Sequence, residues 1–247
     1  MPEKNILKKA KSIPKRGVFI IPSMFTTGNI FCGYYATISA ITGDFDLSAK
    51  AIGVAILLDG LDGRIARLTN TTSEFGIQLD SLADAISFGV APAILIWSWA
   101  LKTNHVLGWL ASFMFLTCGI MRLARFNVQG TTLKHFVGLP IPAGAGVIAA
   151  SIHFFAKYKI SFLSNHYFPT LAAIFTICVS LLMISTLRYP SFKSVFLIKG
   201  SSYMTILFIS LLLAGIWFYS NEILMIIGWV YLFSGPFLSL KRGILKK

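Results

Sequence analysis

The sequence predicts an all-α, polytopic membrane bundle of about eight transmembrane helices, and three observations predict it. The 247 residues are 55% apolar and only 13% charged, too few charges to give a soluble domain of this size an ordinary wetted surface. Apolar runs of about 20 residues, the length that crosses roughly 30 Å of hydrocarbon, recur along the whole chain with short polar breaks. The basic residues fall densely in alternate breaks and sparsely in the others, the signature of loops on two sides of a membrane.

Taken in order, the apolar runs predict spans at 18–42, 47–68, 77–100, 107–128, 139–157, 167–187, 202–219 and 222–240. Gly and Pro interrupt several of them, which transmembrane helices tolerate when neighbouring helices satisfy the freed backbone groups. An even number of spans puts both termini on one side. That side then holds 18 of the 22 basic residues, including Lys4, Lys8, Arg64, Arg67, Arg122, Arg125, Lys134, Arg188 and Lys241, and the other side keeps only Lys50, Lys102, Lys157 and Lys159. Both ends are therefore expected on the cytoplasmic side of the cytoplasmic membrane. The expected organisation is a basic segment at 1–17, a catalytic membrane core at 18–190, two additional helices at 200–240 and a basic tail at 241–247. The first apolar run is itself of spanning length and lacks a small-residue cleavage pattern after it, so it is expected to stay as a helix.

The net charge of +13 does not point to nucleic acid, because the basic residues sit in short clusters beside apolar spans and not on one soluble face. Anionic phospholipid head groups are the better partner. Cys32, Cys118 and Cys178 fall in separate spans and are odd in number, so they read as packing residues and not as a disulfide or metal framework. His105, His135, His153 and His166 are dispersed and read as surface or packing residues, and the five tryptophans mostly sit near span ends, as an aromatic belt requires.

The acids carry the chemistry. Five of the nine acidic residues, Asp59, Asp62, Glu74, Asp80 and Asp84, lie within 26 consecutive positions. Four of these are aspartates within or at the ends of predicted spans, where each carboxylate costs about 2.5 to 3.5 kcal/mol at the helix centre. That cost calls for a compensating cation. Asp59 and Asp62 are three apart and Asp80 and Asp84 four apart, so each pair faces one way on its helix. The Thr/Ser/Asn-rich residues 68–75 between them suit a hairpin turn. Folding that hairpin opposes two carboxylate pairs near the cytoplasmic interface, a hard all-oxygen site suited to two Mg²⁺ or Mn²⁺ ions. No Cys or His accompanies them, which argues against zinc. Gly63 and Gly76 leave room for a ligand to approach the backbone, and Arg67 offers a planar fork for phosphate oxygens. Aspartates that merely cap helices or pair with arginines are the alternative, but Arg64 and Arg67 cannot neutralise four carboxylates.

The residues Asp59, Asp62, Gly63, Ala66, Arg67, Gly76, Asp80 and Asp84 fill the pattern D-x2-D-G-x2-A-R-x8-G-x3-D-x3-D without a departure. This resembles the signature of the CDP-alcohol phosphatidyltransferases. The resemblance implies a six-helix catalytic core with its site at the cytoplasmic face, usually in a homodimer. It assigns Asp59, Asp62, Asp80 and Asp84 to two metal ions, Asp84 also to general base, and Asp62, Gly63, Ala66, Arg67 and Gly76 to the CDP pocket. It further implies CDP-diacylglycerol as donor.

Three other stretches, IPSMFTTGNIFCGYYA, GIMRLARFNV and FVGLPIPAGAG, are similar to the branch of the family that uses L-serine as acceptor, over roughly residues 20 to 150. Ser23 departs from that branch, where Asn commonly follows the Pro. Arg122 and Arg125 lie three apart at the cytoplasmic end of the fourth span and could bind a serine carboxylate, or serve as positive-inside anchors. Asn29 could reach the substrates, or serve helix packing together with Gly28 and Gly33. Glycerol 3-phosphate or inositol phosphate would also want arginines, so these residues leave the acceptor open. A divalent-cation transporter is the reading from another class; it would place acids near the midplane on several helices, whereas here they are expected on two helices at one interface and none in the opposite half.

Overall fold

The computed structural model describes residues 20–68, 74–129, 136–158, 166–190 and 218–244, together with 210 and 215. Seven helices run through the described residues: α1 (Ile20–Thr42), α2 (Phe45–Leu68), α3 (Glu74–Leu101), α4 (His105–Gln129), α5 (Ile141–Tyr158), α6 (Phe168–Ile184) and α7 (Ser220–Ile244). They match seven of the eight expected spans within a few residues. Most of the expected span at 202–219, all of the basic segment at 1–17 and residues 245–247 of the basic tail lie outside the described residues. Three helices, α3, α4 and α7, have a stretch long and apolar enough to cross a membrane, and large apolar side chains such as Phe31, Leu57, Trp109 and Phe237 face outward. A soluble fold would bury such residues, so the chain is an integral membrane protein.

The hairpin of α1 and α2 is closed by local chemistry. Gly43 takes the left-handed conformation (φ +89°) that ends α1, Asp44 N–H returns to Ser39 O at 2.9 Å, and Asp44 Oδ1 accepts from Leu47 N–H at 3.2 Å to cap α2. Ser48 Oγ then donates to Ala36 O at 2.7 Å across the two helices. Ala36, Ala40, Ala49, Ile52 and Ala55 are buried along this seam. Small residues dominate it because, in lipid, close backbone approach replaces the hydrophobic driving force.

α3 is wound irregularly. Residues Ala85–Val90 and Trp97–Leu101 are π-helical, and Ala91 N–H bonds Ile86 O. The first π-helical stretch precedes Pro92, which has no N–H for the carbonyl one turn back and whose ring crowds it; widening the turn relieves the clash. It also lets α3 touch α1 backbone to backbone. A Cβ at Gly33 would collide with Ser87 Oγ and lie 2.7 Å from Ser87 Cα, and Ser87 Oγ donates to Asn29 O at 2.8 Å.

One feature falls outside the all-α expectation. Phe136–Val137 and Arg188–Tyr189 form a two-residue antiparallel ladder, with Gly138 (φ +80°) donating to Leu187 O at 2.8 Å and Leu139 N–H to Leu182 O at 3.0 Å. α6 therefore ends at Ile184, three residues earlier than expected, because its exit strand must pair with the entrance to α5. The expectation of no acid in the opposite half also needs correction. Asp46 in the first turn of α2 lies 2.5 Å (Oδ1) from Nδ1 of the buried His153 and 2.6 Å (Oδ2) from Lys50 Nζ, and Glu222 of α7 meets Lys157 at 3.1 Å. These acids are paired with cations, unlike those of the motif. Cys118 is buried, Cys32 half-buried and Cys178 exposed, all without a disulfide.

Candidate active site

The motif aspartates come together where α2 and α3 face each other. Asp59, Asp80 and Asp84 each offer a carboxylate oxygen, and the three oxygens lie within 4.8 Å of one another. None of the four motif aspartates takes part in an ion pair among the described residues, where the pairs are Asp46–Lys50, Asp46–His153 and Glu222–Lys157. Three partly buried carboxylates this close repel one another unless a cation lies between them. A Mg²⁺ ion with ligands at about 2.0 to 2.1 Å spaces its oxygens roughly 3 to 4 Å apart, which small side-chain adjustments reach from this arrangement. The donor set is all oxygen and therefore fits a hard divalent ion.

Asp62 stands apart from the expected quartet. It is 6% exposed, and its Oδ2 accepts a hydrogen bond from Thr26 Oγ1 of α1. The i, i+3 spacing with Asp59 puts it on the same side of α2, but the adjoining α1 hydroxyl engages the carboxylate. The sequence reading singles out Asn29 in this run but not Thr26; a hydroxyl one turn before Asn29 on the small-residue face of α1 is the signal that points to it.

Beside the carboxylates lies a second group of buried polar atoms. Asn29 is 1% exposed and Arg122 9% exposed, and both adjoin Asp84. Asn29 Nδ2, Asn29 Oδ1, Asp84 Oδ1 and Arg122 Nε are buried without a hydrogen bond. Each such group costs about 1 to 3 kcal/mol, more when charged, so four at one place mark a site for a polar ligand. Arg125 is exposed and does not join them. Asn127 Nδ2 donates to Ser81 Oγ at 2.9 Å, tying α4 to α3 beside Asp80. Gly63 and Gly76 lie on α2 and α3 as the motif requires, whereas the side chains of Ala66 and Arg67, in the last turns of α2, lie outside the described residues.

Comparison with known proteins agrees with this arrangement. The family model for CDP-alcohol phosphatidyltransferases matches residues 19–179, which hold α1 to α5 and most of α6. A CDP-diacylglycerol--serine O-phosphatidyltransferase of Helicobacter pylori (strain ATCC 700392 / 26695) is 38% identical over 185 residues, 74% of this chain and 77% of that protein. The protein of the same name from Bacillus subtilis (strain 168) is 38% identical over 173 residues, 70% of this chain and 91% of that protein. An archaetidylserine synthase of Methanothermobacter thermautotrophicus is 38% identical over 172 residues, 69% of each chain. With a transferase family matched across the helices that carry the aspartates, the transporter reading falls, and the chain belongs to the CDP-alcohol phosphatidyltransferase family.

Proposed function

We propose that this enzyme transfers the phosphatidyl group of CDP-diacylglycerol to the hydroxyl of L-serine, giving phosphatidylserine and CMP. The observation that carries the reading is the meeting of a carboxylate cluster outside any ion pair among the described residues with Arg122, whose buried Nε has no hydrogen bond, and buried Asn29 beside Asp84, in a chain whose relatives are named for serine as acceptor. The archaeal relative's name changes the lipid and keeps the serine, which favours serine as the shared acceptor.

In this reading the serine hydroxyl oxygen forms a bond to the lipid-linked phosphorus, the bond from that phosphorus to the CMP oxygen breaks, and the hydroxyl proton passes to Asp84. Asp59, Asp80 and Asp84 would hold one divalent ion, and Asp62, with Thr26 behind it, would complete the set for a second. Mg²⁺ or Mn²⁺ bound there would neutralise charge on the diphosphate and on the departing CMP. Asp62, Gly63, Ala66, Arg67 and Gly76 line the CDP pocket. Arg122 and Asn29 receive the serine carboxylate and ammonium; a guanidinium with a free Nε and a buried amide beside Asp84 offer the donors and the acceptor a zwitterion needs. Arg125, being exposed, serves better as a membrane-side anchor than as an acceptor ligand.

The same proposal includes a six-helix core at 18–190, two further helices within 200–240, eight spans in all, a cytoplasmic site and a homodimer. Support for the cytoplasmic site is the basic asymmetry together with Arg64, Arg122 and Arg125 at the aspartate end of their helices. Membranes containing the protein are expected to convert CDP-diacylglycerol and labelled serine to labelled phosphatidylserine in a reaction that needs Mg²⁺ or Mn²⁺. Product from glycerol 3-phosphate or inositol phosphate, with none from serine, overturns the acceptor assignment.

A further inference from the structure

A hydroxyl inside a helix ordinarily donates to the carbonyl one turn back on its own helix. Ser81, Ser151, Thr176 and Ser180 all do so. Ser87 Oγ instead crosses to α1 and donates to Asn29 O at 2.8 Å. The winding of α3 gives the reason. Ser87 sits in the π-helical stretch Ala85–Val90, where the backbone bonds shift to the fifth residue back and the carbonyl four residues back is carried away from the side chain. Ser87 is fully buried and Asn29 is 1% exposed, so water does not compete for the bond.

One face of α1 meets both aspartate-bearing helices. Thr26, Asn29 and Gly33 follow i, i+3, i+7 and share a stripe. Thr26 donates to Asp62 of α2, Asn29 O accepts from Ser87 of α3, and a Cβ at Gly33 would lie 2.7 Å from Ser87 Cα. Gly33 thus brings the two backbones close enough for a side chain as short as serine to span the gap. Asp84 stands one turn before Ser87 on α3, and its Oδ1 is among the buried polar atoms of the site. The hydroxyl bond therefore ties the backbone of Asn29 to the turn next to Asp84. An asparagine has only two side-chain torsions, so holding its backbone leaves the amide few positions.

We infer that Ser87 is a positioning residue for the acceptor: by donating to Asn29 O across the seam of α1 and α3, it sets where the Asn29 amide stands. The inference rests on the acceptor role proposed for Asn29. Ser87 has its proton engaged by a carbonyl and its side chain enclosed, so it acts through Asn29 and takes no part in the chemical step. Its loss is read in serine binding.

The test is steady-state kinetics of the full-length protein in detergent and lipid micelles, comparing wild type, Ser87→Ala, Asn29→Ala, the double variant, and Ser180→Ala as a control. Ser180 is as deeply buried as Ser87 but spends its hydroxyl on its own helix. Ser87→Ala is expected to raise the KM for serine about three- to ten-fold, the size of one hydrogen bond, with kcat within about two-fold and the KM for CDP-diacylglycerol unchanged. Ser180→Ala leaves all three at wild-type values. On top of Asn29→Ala, Ser87→Ala is expected to add less than about two-fold to the serine KM, because the group it positions is already gone. An unchanged serine KM in Ser87→Ala, an equal rise in both KM values, the same defect in Ser180→Ala, or full multiplication of the two effects in the double variant overturns the inference. Ser87→Cys keeps the side chain's shape with a weaker donor and is expected to give a smaller rise of the same selectivity; a wild-type serine KM there overturns the inference too. The outcomes also keep the two readings apart. No product from serine with the wild type removes the acceptor assignment, and a wild-type serine KM in Asn29→Ala removes Asn29 from the acceptor site and this inference with it. A raised serine KM in Asn29→Ala with none in Ser87→Ala removes this inference alone.

Discussion

Thr26 on α1 donates its hydroxyl to Asp62 Oδ2 on α2, so one of the four motif carboxylates is oriented by a helix that carries none of them. Both groups are buried, and removing the hydroxyl leaves a carboxylate oxygen without its donor. Thr26→Ala is expected to lower kcat/KM for CDP-diacylglycerol roughly ten-fold, about 1 to 2 kcal/mol, and Thr26→Ser to restore most of it. Initial rates across donor concentrations check this. Equal activity of all three proteins would mean that Asp62 needs no support from α1.

Asp84 carries an unpartnered buried oxygen beside Arg122 and Asn29. Asn at this position keeps the shape and removes the base, so turnover is expected to fall about 10²- to 10⁴-fold, the usual worth of general base catalysis. CDP-diacylglycerol binding, followed by protection of the protein against thermal unfolding, is expected to persist. A variant with near wild-type turnover would remove Asp84 from proton transfer.

Because Asp59, Asp80 and Asp84 converge outside any ion pair among the described residues, the cluster needs its ion for more than chemistry. EDTA is expected to abolish activity and also to lower the melting temperature, and Mg²⁺ or Mn²⁺ to restore both. Asp80→Asn removes one charge from the cluster; it is expected to raise the metal concentration for half-maximal activity by ten-fold or more while making the metal-free protein no less stable. If metal-free Asp80→Asn melts well below metal-free wild type, repulsion within the cluster is not what the ion relieves.

The parts of this fold that could be read in the sequence are those set by single periodicities. Run length located seven helices, because a lipid-facing helix must be apolar for its whole span, and the i, i+3 and i, i+4 spacings put Asp59, Asp80 and Asp84 on facing surfaces. What could not be read depends on contacts between distant segments. The Phe136–Tyr189 pairing joins residues 53 apart in sequence, the Asp46–His153 bond 107 apart, and neither leaves a local pattern. Arg122 and Arg125 looked equivalent as an i, i+3 pair, yet burial separates them, since only one of the two lies on the seam of α4 with α3.

The same logic separates two glycines of similar appearance. Gly33 on α1 and Gly53 on α2 both sit inside predicted spans, yet a Cβ at Gly33 would lie 2.7 Å from Ser87 Cα and one at Gly53 would meet nothing within 4 Å. Ser87 occupies the π-helical stretch that follows Asp84, so pushing α1 off α3 at this point moves the helix that carries two of the motif aspartates. Gly33→Val is therefore expected to cost about 3 kcal/mol or more through overpacking against backbone, and to lose activity in the fraction that still folds. Gly53→Ala should be neutral or stabilise by up to about 1 kcal/mol, since Ala is the better helix former and its methyl group enters open space. Melting temperatures by fluorescence-detected size exclusion, with activity on the monodisperse fraction, measure both. Equal tolerance of the two substitutions would show that α1 and α3 can separate at Ser87 without disturbing the aspartates, and that the backbone contact is incidental to the site.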